Sequence, residues 1–410
     1  MKILFVCPYT PTAIRTRSYH LLTTLLRRGH AVTLATVWQS EAERSQLQTL
    51  HNLGLTVLAS RLTRARSVAN MLPAALSGRP LQARFCWVPA LARQLQQAAQ
   101  TSTTPFDVMH VEHLRAVEYG VAVRGLPANG RRLPIVWDSV DCISMLFEQA
   151  VRYSRTSFGR WATRLELPAT RRYEGWAVGQ FDQVLVTSKV DEAALQRLAL
   201  AAERAEAPAR PIRVLPNGVD LVGFQPPEGP REPATVVLSG KMSYHANVTA
   251  AHHLIRDIMP LVWASNPAVK VKLVGSTPSR DVLALGNRYG PLVTVTGHVP
   301  DMRPYLQTAT LAVAPMAYGA GIQNKVLEAM ACGTPVVASP QAVAALPETV
   351  QQALLIAADA PSSAAAILSL LRDPALQTSL GRRARAYVSE HFDWSTVTAE
   401  LETIYDGLLA

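Results

Sequence analysis

The sequence predicts an α/β protein of two Rossmann-like, doubly wound parallel-sheet domains facing each other across a cleft. Three observations carry this expectation. The chain has 410 residues, too many for one hydrophobic core at roughly 100–200 residues per domain. Short β-branched runs alternate with runs of apolar residues at helical spacing, the mark of parallel strands joined by helices. The alternation also runs twice, with a stretch rich in Ala, Pro, Glu and Gly over 201–233 between the two rounds.

The first round opens with KILFVCP, an apolar strand. SYHLLTTLLRRGH follows, with Leu21, Leu22, Leu25 and Leu26 on one helical face and Gly29 as its stop, and AVTLATV is the next strand. Further strands fall at 55–60, 107–112, 134–140 and 183–188, and Ser188 with Asp191 reads as a capping box opening the next helix. The second round holds strands at 235–241, 269–276, 292–299, 311–316 and 334–339, with helices at VTAAHHLIRDIMPLVW and NKVLEAMAC. These patterns give a first domain over 1–210 and a second over 211–390. A C-terminal helix over 391–410 is left to pack back on the first domain. Ligands of such sheets bind outside the carboxyl ends of the strands.

Composition narrows the class. With 49% hydrophobic residues, 22 Gly and 28 Pro, the chain is neither collagen-like nor disordered. No run approaches the roughly 20 apolar residues of a membrane span. MKILFVCPYTP stops its apolar run at Pro8, short of a secretory h-region, so a cytoplasmic protein is expected. Cys7, Cys86, Cys142 and Cys332 are too scattered for a zinc site or a disulfide framework and read as small buried hydrophobes. The net charge of +10 is uneven: residues 1–210 carry 26 basic and 15 acidic side chains, whereas 211–410 carry 14 and 15. That asymmetry points to an anionic partner on the first domain. Two basic, aromatic stretches, 61–87 and 152–176, fit a peripheral membrane surface anchored by Trp87, Trp161 and Trp176, or single-stranded nucleic acid, or solvated helix faces over core aromatics.

The most informative stretch is YGAGIQNKVLEAMACGTPVVAS over 318–339. A Gly-x-Gly loop leads from a strand into a helix, whose N–H groups and dipole attract phosphate. Lys325 enters the first turn as a cation for a diphosphate, and Glu328 follows one turn later, where it can accept from ribose hydroxyls.

The pattern G-x-x-x-K-x-x-E-A-M-A-x-G-x-P-V-V resembles the donor-site signature of GT-B retaining glycosyltransferases of family 4. VLPNGVDLVGF (214–224) resembles their inter-domain segment, VVLSGKMSYHANV their donor-domain opening, and VTGHVPDMRPYLQTATLAVAP the stretch around the nucleotide. AIRTRSYHLLTTL, YSRTSFGRWATRLE and GIQNKVLEAMA look like a bacterial branch of sugar transferases linked to exopolysaccharide and sorting systems. The resemblance implies metal-independent transfer of a sugar from UDP or GDP to an acceptor hydroxyl, with retention, on a soluble or lipid-linked acceptor in polysaccharide biosynthesis. No cofactor, metal or nucleic acid is implied.

It implies donor-binding roles for Gly240, Asn247, His298, Gly319, Gly321, Ile322, Gln323, Asn324 and Glu328. Lys241 and Lys325 would contact the diphosphate. The first Glu of the family's E-x7-E motif is absent, Ala320 standing there, and the Lys usually found after Lys241 is replaced by the run His245-Ala246-Asn247. In the first domain His110, Glu112 and His113 are candidates for contact with the donor sugar, Glu112 replacing a family His. Arg15, Arg17, Asp138 and Asp141 face the acceptor side. Two alternatives share parts of this pattern: a non-transferase GT-B enzyme such as a nucleotide-sugar epimerase, and a basic nucleic-acid-binding protein.

Overall fold

The structure, a computed structural model, describes residues 1–12, 16–101, 105–128, 131–153, 157–202, 210–319 and 321–410. Two parallel sheets organise it. In the first, β1 (Lys2–Cys7), β2 (Ala31–Trp38), β3 (Thr56–Arg61), β4 (Val108–Glu112), β5 (Ile135–Val140), β6 (Gln183–Val186) and β7 (Arg213–Val214) lie in the order β3-β2-β1-β4-β5-β6-β7. In the second, β8 (Glu232–Ser239), β9 (Lys270–Val274), β10 (Val293–Gly297), β11 (Ala309–Ala314), β12 (Val336–Ala338) and β13 (Leu355–Ile356) lie in the order β10-β9-β8-β11-β12-β13. Both are doubly wound orders with one reversal, beside β1 in one sheet and beside β8 in the other.

Each strand predicted above is present, and β7 and β13, of two residues each, add two more. Continuous apolar runs form the central strands because helices cover both faces of a parallel sheet. The strands β1, β4 and β11 have hardly an exposed side chain. Of the connecting helices, α1 (Thr16–Arg27) buries Leu21, Leu22 and Leu25, as its spacing predicts. In α2 (Lys189–Ala201) the Ser188 side chain accepts from the Asp191 N–H, so the N-cap is made. The reciprocal half of the capping box is not, because the Asp191 carboxylate accepts from the Cys142 N–H instead. The expected helix at 248–263 begins earlier, as α3 (His245–His253), and runs on through a π turn at Leu254–Ile258 into Met259–Ser265.

The compact units differ from the predicted domain limits by a few residues. The first holds Met1–Val151, Thr156–Pro216 and Val397–Ala410, and the second is built on Asn217–Thr396. Residues 211–216 stay with the first unit because β7 pairs with β6. Residues 391–396 stay with the second because Phe392 is in its core and Asp393 bridges to Val219. Helix α4 is Asn324–Ala331, and the C-terminal helix is α5 (Trp394–Leu409). All four cysteines are buried, and none forms a disulfide. No helix among the described residues is long and apolar enough to cross a membrane.

One close approach shapes the second unit. A Cβ on Gly275 would stand 1.9 Å from the Gly240 carbonyl oxygen, so the loops after β8 and β9 touch backbone to backbone. Gly275 also has φ +148°, which an L side chain rarely adopts. Gly275→Ala is expected to cost about 1–3 kcal/mol of stability, measured by urea denaturation of the full chain. An unchanged midpoint would contradict the contact.

Candidate active site

At the reversal of the second sheet two loops meet. One leaves β8 through Gly240 and Lys241 and enters α3; the other leaves β11 and enters α4. The Lys325 ammonium donates to the Asn247 side-chain oxygen at 2.5 Å, and the Asn247 amide donates to the Lys241 carbonyl at 3.0 Å. Lys325 also lies 3.5 Å from the Met316 sulfur. Gly240 (φ +139°) leaves room here, because a Cβ would reach the Asn247 side-chain nitrogen at 2.8 Å. Lys241 itself is exposed.

Burial lowers Lys325 to about 8, opposed by Glu328, and raises Glu328 to about 7, opposed by Lys325. The pair therefore sits where protonation responds to a bound anion. At the start of α4 the N-cap residue Gln323 makes no side-chain cap, and Asn324 accepts from the Asn217 amide at 3.4 Å. Gly321 has φ +62°. A Cβ on Gly319 would meet the Gln323 amide at 2.9 Å, so the loop folds closely over this helix start.

The structure thus gathers Gly240, Lys241, Asn247, Gly319, Gly321, Gln323, Asn324, Lys325 and Glu328 at one reversal. Two other predicted donor residues are placed differently. The Ile322 side chain is buried in the core, which leaves only its backbone for a ligand. His298 is exposed on the loop after β10, an edge strand that β9 separates from β8. A contact that sequence reasoning missed joins the same two loops. His245 Nδ1 and the Tyr318 hydroxyl share a hydrogen bond of 2.8 Å, and their rings stack with centroids 5.3 Å apart. Burial lowers the His245 pKa, favouring a neutral ring. The run HAN, where the family Lys is missing, was the signal available.

The reversal in the first sheet is used differently. Register places Phe5 beside His110 and Glu112 beside Asp138. His110 is fully buried, stacked on Phe5 at 4.4 Å and hydrogen-bonded through Nδ1 to the Tyr405 hydroxyl at 2.8 Å. Its other nitrogen lies 3.4 Å from Asp138. Burial lowers its pKa despite that carboxylate. Arg17 donates to Asp138 at 2.8 Å and to the carbonyls of Pro216 and Leu215 at 3.0 and 3.1 Å.

These contacts correct four candidates. His110, Asp138 and Arg17 form a buried structural network, because a charge out of water must be paired where it lies. Glu112 is also buried, 1% exposed, and accepts from the Tyr9 hydroxyl. His113, with φ +73°, and Asp141 are half-buried. His113 Nδ1 accepts from the Arg115 N–H at 3.2 Å, and burial beside Arg115 lowers it to about 3, so it acts only as a neutral ring. Arg15 and Ala320 lie outside the described residues. Trp87 stacks on Tyr119 and Trp176 packs beside Tyr173, both half-buried against the core; the side chain of Trp161 lies outside the described residues. Among the described residues no group of three His, Cys, Asp or Glu is placed to hold a metal.

Burial raises Glu112, Asp141 and Glu174 to about 7 from 4.5, 3.8 and 4.5. The folded chain therefore holds protons that the unfolded chain has released, and this stability is full below about pH 4 and lost as pH rises through 7. Asp138 runs the other way: desolvation is outweighed by Arg17 and His110, which hold it at about 2, and its contribution is lost only as pH falls from about 4 toward 2. The melting temperature of the full chain should therefore fall between pH 5 and 8, and Glu112→Gln should flatten that fall. A melting temperature that rises over this range would overturn the assignment.

Comparison with known proteins agrees with this arrangement. Residues 14–222 match the family model described as Glycosyltransferase Family 4, and residues 233–373 the model described as Glycosyl transferases group 1. A D-inositol 3-phosphate glycosyltransferase of Mycobacterium avium is 32% identical over 250 residues, 57% of this chain and 56% of that one. A phosphatidyl-myo-inositol mannosyltransferase of Mycolicibacterium smegmatis is 28% identical over 200 residues, 47% and 51% of the two chains. The chain spans about half the length of the curated relatives it matches. Among solved structures, Anabaena HepE in complex with UDP and glucose superposes with a TM-score of 0.68 at 17% identity, over 99% of this chain and 100% of that one. Sucrose-phosphate synthase from Thermosynechococcus elongatus gives the same TM-score and identity over 100% and 99%. The two sheets therefore have the GT-B fold, and since the first family model alone covers just over half of its residues, the chain belongs to the glycosyltransferases that these models describe.

Proposed function

We propose that the protein is a retaining, metal-independent hexosyltransferase that moves a sugar from a UDP or GDP donor to an acceptor hydroxyl in polysaccharide biosynthesis. The observation that carries this reading is the Lys325–Asn247–Lys241 linkage, which sets a cation at the start of α4 where the two loops of the reversal meet. Positive charge at a helix start suits a leaving diphosphate, since donors and dipole are already oriented before the charge develops. Glu328, one turn on, would accept from the ribose, and the His245–Tyr318 pair would border the same space. The relatives include mannosyltransferases, and the HepE structure is a complex with UDP and glucose; both favour hexosyl transfer. In the reaction the sugar–phosphate bond breaks, the acceptor oxygen bonds to the same face of the sugar, and the acceptor proton leaves with the diphosphate. Lys325 gains charge as the dianion arrives, because a neighbouring anion raises an amine held down by burial.

Lys325→Ala and Glu328→Ala should each weaken nucleotide-sugar affinity or turnover roughly ten- to hundredfold, the equivalent of about 1.5–3 kcal/mol for a charge-assisted hydrogen bond. Calorimetric titration with UDP- and GDP-sugars measures this, with melting curves as the control for folding. Donor kinetics unchanged in both folded variants would sink the site. Turnover should also survive a chelator. Its complete loss, restored by magnesium or manganese, would overturn metal independence.

A further inference from the structure

We propose that a hollow at the amino ends of the strands in the second unit binds a small amphiphilic anion, one acidic group on an apolar body. The hollow has a volume of about 900 Å³, within the roughly 300–1,000 Å³ of small-molecule sites. Pro233 and Ala234 line it at the start of β8, Thr310 at the start of β11, and Gly333 ahead of β12. These strands are parallel, so the loops that carry Lys241 and Lys325 leave from their other ends. The length of a strand, roughly 20 Å, separates the two places. The proposal therefore does not rest on the transferase reading.

The charge of the lining selects an anion. Arg385 donates to the carbonyls of Ala331 and Leu221 at 2.6 and 3.0 Å, and Arg231 to those of Gln307, Cys332 and Gly333 at 2.6, 2.9 and 2.9 Å. Arg382 lies three residues before Arg385 on the helix Pro374–His391, on the same face, and is exposed. The lining holds these three arginines and no acidic residue. Carbonyls engage the donors of Arg231 and Arg385 but leave their net charge in place. Burial works against the Arg231 charge, holding its pKa below the ordinary value, and an anion seated in the hollow would favour that charge. The exposed Arg382 stands where it can bond the same anion.

The rest of the lining selects the body of the ligand. The Gln377 amide donates to the Leu370 carbonyl at 2.6 Å, and the Thr378 and Thr310 hydroxyls donate to the carbonyls of Pro374 and Glu232 at 3.0 and 2.6 Å. With these donors engaged inside the protein, most of what remains is proline ring, Leu371, Ala234 and Ala386. A ligand covered in hydroxyls would lose water there without gaining partners, whereas an apolar body gains by burial. Pro226, Pro227, Pro233 and Pro374 fix the backbone of the rim, so the hollow is formed before any ligand arrives.

The test is a fluorescence titration of the full chain with anilinonaphthalene sulfonate, an anionic group on an apolar body. Saturable binding is expected, with displacement by decanoate but not by acetate or UDP. Arg382→Gln should weaken dye binding at least about fivefold, and Ala386→Trp, which fills the hollow, at least about tenfold. Both positions are exposed, so melting curves should match the parent. Absence of saturable binding would overturn the proposal, as would parent-like affinity in both folded variants. Displacement by acetate as effective as that by decanoate would remove the apolar body from it. Displacement by UDP would also overturn it, since the dye would then lie at the donor loops.

Discussion

A parallel strand cannot return to its neighbour by a tight turn, so each sheet must be wound outward from a first strand in both directions. That constraint opens a gap between the βα loops on either side of the reversal, at β1/β4 and at β8/β11. Most candidate residues lie at one of these two places. In the second unit Gly240 and Gly275 bring neighbouring backbones into contact, and Asn247 ties the loop after β8 to the lysine of the following α4.

The two reversals hold opposite kinds of electrostatics. In the first unit, Arg17, Asp138, His110 and Tyr405 lie against one another away from water, Arg17 bonded to Asp138 and His110 to Tyr405. A buried charge with its partner removed is strongly destabilising, so this network belongs to folding. In the second unit, Lys325 is held by a neutral amide and a thioether, with Glu328 acting at a distance. Among the described residues no carboxylate is hydrogen-bonded to Lys325, and burial lowers its pKa against the opposing effect of Glu328. His245 and Tyr318 add a neutral hydrogen-bonded stack between the same two loops.

The excess positive charge of the first half also has two fates. Arg17 and Arg79 are paired with Asp138 and Glu118, while Arg64 and Arg66 border an exposed leucine stripe. Trp87 and Trp176 pack against the core of the first unit. Large aromatic rings bury more apolar area than leucines do, and folding takes them first.

The sequence by itself determined both sheets, the Ser188 cap, and the strand–glycine loop–helix segment that carries Lys325 and Glu328. Each of these is a local pattern: strand and helix periods, a cap three residues from its N–H, a cation within one turn of a loop. Partner choice was decided only by the tertiary structure. Arg17 and Asp138 are 121 residues apart, His110 and Tyr405 are 295 apart, and His245 and Tyr318 are 73 apart. A strand-end histidine looks the same in a sequence whether it meets a sugar or a tyrosine from a distant helix. Likewise the spacing of Val68, Leu72 and Leu76 defines a stripe, but its outward direction follows from how Asn70 and Ala74 fit the neighbouring chain. Spacing specifies which residues share a face, and packing across long stretches of chain decides what that face meets.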